Sequence, residues 1–190
     1  MPVTDADRIF ARNHADTRQK FHDARNDYDK KISTTLSGAE VHYRGLLGEC
    51  EFVRVFGGSV DVSLRPNGDG KRDFMVKLID RFGRRIEVPI DVKVSSYNGG
   101  DPFLRVPCAD IARFKPTIYI DGHYHDDDDD VYLRGWQWGQ FLIARNQVMT
   151  FSSRGTPNFL CPCQLCRKID ELIERAKAAA DVRWNDRWFF

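Results

Sequence analysis

The stretch Ile86-Glu87-Val88-Pro89-Ile90-Asp91-Val92-Lys93-Val94 decides how this chain reads. Its apolar residues predict a buried strand, and residues two apart on a strand point to the same face, so Asp91 and Lys93 share one. Charges in such a setting are costly unless they are paired or bound to a metal. A carboxylate beside an ammonium at a strand end can hold a divalent cation and steady a negative transition state. That combination points to metal-dependent chemistry on phosphodiester bonds.

Working outward, residues 73–79 read as a second strand, residues 80–84 as a turn and residues 85–95 as the strand that carries Asp91 and Lys93. If the hairpin turns about Phe82-Gly83, Asp73 falls opposite Val92, between Asp91 and Lys93; a bulge at Pro89 would shift this by one. Either register gathers Asp73, Asp91 and Lys93 at one end of the hairpin. Upstream, residues 40–56 read as a helix stopped by Gly57-Gly58. Glu49 and Glu51 lie roughly 200° apart around it. Glu49 shares a face with Phe52, Val53 and Phe56, so it is the acid expected to point inward, where a shared metal site gives it a reason to be.

The remaining segments are read more coarsely. Residues 4–36 are polar and predict one or two amphipathic helices, started by Thr4, that pack lightly on the main domain or on a second subunit. Residues 59–64 predict a strand, 65–70 and 97–102 glycine-containing loops, 118–121 and 131–133 short strands, 136–144 a short helix or strand, and 170–181 a helix. Helix, strand meander, further strands and helix make an α/β (α+β) chain with a mixed sheet. Its parts are an N-terminal helical extension (1–37), a core (38–150) and a C-terminal segment with cysteines and a helix (151–190).

The matching pieces are Gly48-Glu49 in a helix ending at Gly57, Gly70-Lys71-Arg72-Asp73-Phe74, and Ile90-Asp91-Val92-Lys93. Together they resemble the PD-(D/E)XK nuclease superfamily, with its restriction-endonuclease-like fold, over roughly residues 40–145. Arg72 stands where that family often has a proline before the first acid. The resemblance implies Asp73 and Asp91 as metal-binding carboxylates, Lys93 as the catalytic lysine and Glu49 as a helix acid contacting the metal directly or through water. It implies Mg²⁺ or Mn²⁺ as cofactor and DNA as substrate, with Lys93 orienting or deprotonating the water or stabilising developing charge. Ser95 and Ser96 become candidate phosphate contacts, beside the basic Lys71 and Arg72. The implied activity is a Mg²⁺-dependent, endonuclease-type hydrolysis of DNA. The alternatives are an RNA- or branched-DNA-acting relative, or a catalytically inactive nucleic-acid-binding or assembly protein of the same fold. Many such domains dimerise, and the N-terminal helices offer a surface for a homodimer.

The whole chain sets bounds. It has 190 residues, 42% hydrophobic, with a formal net charge of +1. The five negative charges of Asp126 to Asp130 sit in one loop, so the rest is more basic than the total shows. That loop is expected to be solvated. The polar start and the lack of a long apolar run predict a cytosolic protein with no membrane span. Five cysteines in a reducing compartment are thiols or metal ligands. Cys161, Cys163 and Cys166 form a dense cluster that suits a structural Zn²⁺, with Cys108, His123 or His125 as the fourth ligand. Trp136, Trp138, Phe141, Trp184 and Trp188 are expected to be core or interface residues.

Overall fold

A computed structural model describes residues 3–24, 36–64, 72–96, 103–113, 117–150 and 157–181. In chain order they form α1 (Asp5–Ala24), α2 (Gly38–Phe56), β1 (Phe74–Ile79), β2 (Arg85–Ser95), β3 (Phe103–Pro107), α3 (Cys108–Arg113), β4 (Ile118–His125), β5 (Asp130–Trp138), α4 (Gly139–Arg145), β6 (Val148–Met149), β7 (Asn158–Pro162), β8 (Arg167–Lys168) and α5 (Ile169–Asp181). A 3-10 turn, Cys163–Leu165, joins β7 to β8. The main sheet has the order β1-β2-β4-β5-β8 and is mixed, with β2 and β4 parallel and the other pairs antiparallel. A smaller sheet, β3-β7-β6, stands beside it. The architecture is α+β, a mixed five-stranded sheet flanked by helices.

The sheet's two faces divide the labour. Ile90, Val92, Ile118, Ile120 and Trp136 make one face apolar, and it packs against Phe52 of α2 and Leu172 of α5. Gly48 lets α2 come down onto that face, since a Cβ there would collide with Val94 Cγ2. The other face carries Asp91, Lys93 and Ser95 on β2, and Tyr119, Asp121 and His123 beside them in parallel register on β4. Tyr119 is buried there in a second core with Leu104, Val106, Ile111, Leu142 and Cys161.

Local chemistry explains the element ends. Ser37 accepts from the Glu40 amide and caps α2, and the Gly57 amide, at φ 80°, bonds the Val53 carbonyl at the other end. Thr4 and Asp7 exchange side chain–amide bonds at the start of α1. Residues 59–64, expected as a strand, join neither sheet among the described residues. The Asp61 carboxylate instead takes the Ser63 amide and hydroxyl, a local bond that competes with strand pairing. The two-way reading of residues 136–144 resolves into both, with β5 running to Trp138 and α4 beginning at Gly139.

The acidic run is not simply solvated. Asp129, at φ 49°, accepts 2.7 Å bonds from the hydroxyls of Tyr43 on α2 and Tyr124 on β4. Asp126 pairs with Arg44 at 2.7 Å, and Arg8 of α1 bonds the Asp129 carbonyl at 3.0 Å. The buried Asp130 carboxylate accepts the amides of Val3 and Val131. The loop is therefore the socket that seats α1 and α2. Ala11 and Ala15 of α1 are fully buried in a core with Tyr43, Leu46 and Leu47, so α1 belongs to the body of the molecule rather than resting lightly on it. Burial and Asp129 push the Tyr43 phenol up to about 12. Asp129→Ala is expected to lower stability by about 2 kcal/mol through loss of both phenol partners, and exposed Asp127→Ala to change it by less than about 0.5 kcal/mol, both read by thermal unfolding.

Candidate active site

Asp73 stands one residue before β1, and its place is set by two bonds to β2. Its amide donates to the Ile90 carbonyl at 2.9 Å, and its carboxylate accepts the Val92 amide at 2.6 Å. These bonds bracket Asp91. The ladder pairs Phe74 with Ile90 and Ile79 with Arg85. Asp73 thus falls level with Asp91, one residue from the Val92 expected by counting. The shift arises in the turn and not at Pro89, which pairs regularly with Met75. Asp80 holds a five-residue turn by accepting the Phe82 and Arg84 amides, with Gly83 at φ 77°. In a strand one residue is the difference between faces, so this turn puts both aspartates on the polar one.

Lys93 reaches back along its own strand. Its Nζ lies 2.8 Å from Asp91 Oδ2 and 3.6 Å from Asp110 Oδ2. Asp91 is 3% exposed and Asp110 6%. Burial works against the Lys93 ammonium, but Asp91, Asp73 and Asp110 outweigh it and raise its pKa above the ordinary lysine value. Burial raises Asp73 well above the usual aspartate range, and the charges of Asp91 and Glu49 push it further. Glu49 therefore lies within electrostatic reach of Asp73, as the helix count expects; Arg18 approaches it at 3.6 Å. Glu51 is equally buried at 9%, contrary to the expected contrast between the two, because Arg54 one turn on gives it a partner. The Tyr119 phenol, raised first by burial and then by Asp91, lies beside Asp91 in register on β4.

Asp110 was not legible as a site residue. It sits in the first turn of a six-residue helix beyond a loop, and only the β2–β4 crossover carries it to Lys93. Arg72 is exposed and contacts Met75, Ser95 lies two residues beyond Lys93 on the same face, and Ser96 follows the strand end. Lys71, the loop glycines 68 and 70, Trp184 and Trp188 lie outside the described residues.

The cysteines do not converge as a set of four. Cys161 and Cys166 are 3.9 Å apart, sulfur to sulfur, and Cys163 turns to Asp121 Oδ2 at 2.9 Å. Cys108 is elsewhere. β3 pairs Leu104 with Cys161 and Pro107 with Asn158, which leaves Cys108 about 10 Å or more along the ladder. His125 stacks edge-on against His123 and Tyr132. Among the described residues, no three His, Cys, Asp or Glu groups stand together as a ready metal cage. A structural zinc needs four such ligands. Mg²⁺ asks less, since it takes one or two carboxylates and keeps several waters. The hard oxygens of Asp73 and Asp91, side by side on one face, fit that demand.

No family model matches the chain, and no curated protein matches it by sequence. Among solved structures, a nuclease from a fusselovirus superposes with a TM-score of 0.35 at 14% identity, over 71% of this chain and 86% of the other. A likeness that loose carries no argument about activity. No described helix is long and apolar enough to cross a membrane.

The raised Asp73 pKa has a defined sign. Folded Asp73 holds its proton more tightly than the unfolded chain does, so stability falls as pH rises from the ordinary aspartate value to the raised one, and stays lower above it. In divalent-free buffer near pH 8, Asp73→Asn is expected to melt about 2–4 °C above the unmodified protein, the shift that ~1 kcal/mol gives a domain of this size. The difference should vanish near pH 3, as thermal scans across pH would show.

Proposed function

We propose that this protein is a metal-dependent nuclease that hydrolyses phosphodiester bonds of DNA, of endonuclease type. The observation that carries the proposal is the pair of aspartates, Asp73 and Asp91, level with each other on one sheet face with the Lys93 ammonium 2.8 Å from Asp91. Paired carboxylates in that setting repel, and a divalent cation would relieve them. Asp73 and Asp91 would hold Mg²⁺ or Mn²⁺, with Glu49, in electrostatic reach of Asp73, contacting it through water. When bound, the ion supplies an activated water and offsets charge on the scissile phosphate.

Every other part falls to the chain. Lys93 remains an ammonium through the physiological range, so its part is to stabilise charge on the phosphoryl oxygens and orient the water, not to remove a proton. Asp110 offers Lys93 a second carboxylate when Asp91 is engaged elsewhere. The Val92 amide fixes the orientation of Asp73.

The test is to incubate the protein with plasmid, linear, single-stranded and branched DNA, with and without Mg²⁺ or Mn²⁺. Cleavage should require the ion. Asp73→Asn, Asp91→Asn and Lys93→Ala should each lose at least about 100-fold, and Glu49→Gln about 10-fold, while melting cooperatively. No ion-dependent cleavage of any substrate would leave a binding or assembly protein. Full activity in Lys93→Ala and Asp91→Asn would place the chemistry elsewhere.

A further inference from the structure

The β4–β5 ladder slips between Asp121 and Gly122. Asp121 pairs with Gly135 but Gly122 with Leu133, so Arg134 is an extra residue in β5, opposite nothing. Regular alternation would put Arg134 on the same side as the fully buried Trp136, in the apolar core. The bulge turns it to the polar face instead. Bulges of this kind re-aim a side chain and recur beside active sites.

What Arg134 meets there is built to hold it still. Its Nη2 donates to Asp121 Oδ1 at 3.0 Å and approaches Ser95 Oγ at 3.4 Å. Asp121 is 1% exposed, and its second oxygen takes the Cys163 thiol, so the carboxylate is fully engaged. Arg134 is not. Its Nε is buried with no hydrogen-bond partner among the described residues, and the side chain keeps 22% of its surface exposed. Beside it, His123 Nδ1 is also buried without a hydrogen-bond partner among the described residues. A buried donor without a partner calls for an explanation, and a guanidinium anchored through Nη2 with Nε left unbonded on that same edge keeps donor capacity that suits a tetrahedral anion.

The position narrows the anion. Ser95 is two residues beyond Lys93 on the same face, about 7 Å along the strand. That step is comparable with the separation of neighbouring phosphates on one nucleic-acid strand. We propose that Arg134, set by the bulge and by Asp121, forms with Ser95 a subsite for the backbone phosphate next to the scissile one. This rests on the nuclease reading for its substrate, but it concerns binding rather than bond cleavage.

The experiment measures binding of a fluorescein-labelled DNA duplex by anisotropy across a salt series, with Ca²⁺ in place of Mg²⁺. Arg134→Gln should bind about 10-fold more weakly, with the slope of log affinity against log salt reduced by about 1. Arg134→Lys, which keeps a cation against Asp121, and Ser95→Ala, which leaves that pair intact, should each lose about 3-fold. A single neutral methylphosphonate beside the cleavage position should weaken the unmodified protein and not Arg134→Gln. Unchanged affinity and slope in the folded variants overturns the subsite. If Arg134→Gln does not fold, unchanged binding by Arg134→Lys and Ser95→Ala overturns it equally. Ion-dependent cleavage with binding indifferent to Arg134 removes the subsite and keeps the nuclease. Arg134-dependent binding without cleavage does the reverse, and no binding at all removes both.

Discussion

The pairing of β1 with β2 is the constraint on which the site depends. Asp73 is fastened to β2 by its amide and by its carboxylate, on either side of Asp91. A slip of one residue would send Asp73 to the apolar face, among Phe52, Ile90 and Val92, where an aspartate has no partner. The register is set some distance away, where Asp80 accepts two amides and fixes a five-residue turn. A hydrogen-bonded turn at one end of a hairpin thus decides which charges meet at the other.

The two faces of the sheet turn that register into a working surface. The apolar face takes α2 and α5 and builds one of the buried cores with them. Close approach of α2 needs Gly48, and the next residue, Glu49, is thereby brought within reach of Asp73. The polar face gathers charge from four places: β2, the residue before β1, α3 and the bulge in β5. Each acid on it has a cation or a donor nearby, as buried charges require. The acidic loop performs a different task on the far side, where Asp126, Asp129 and Asp130 clasp α1 and α2 by named bonds.

Much of this was legible in local pattern. The alternation around Asp91 and Lys93, the glycine stop at Gly57 and the helical phase of Glu49 are short-range signals: Lys93 meets Asp91, α2 ends at Gly57, and Glu49 lies within electrostatic reach of Asp73. What escaped the sequence depends on contacts between distant segments. Asp110 sits in a short helix with no periodicity of its own. The bulge at Arg134 appears only when β5 is laid on β4. The acidic run reads as solvated because its partners, Arg8, Tyr43 and Arg44, lie over 80 residues away. Cys108 looks like a fourth thiol on composition, and the β3–β7 register carries it away from the other three.

The proposed chemistry requires Asp73 and Asp91 to hold the cation together. Titrating ¹⁵N-labelled protein with substoichiometric Mn²⁺ tests it most directly, since a paramagnetic ion broadens the amides nearest to it. Asp73, Asp91 and Val92 are expected to broaden first, and Asp91→Asn to abolish the effect. Broadening centred on Asp126 to Asp129, with Asp73 and Val92 unaffected, would contradict it.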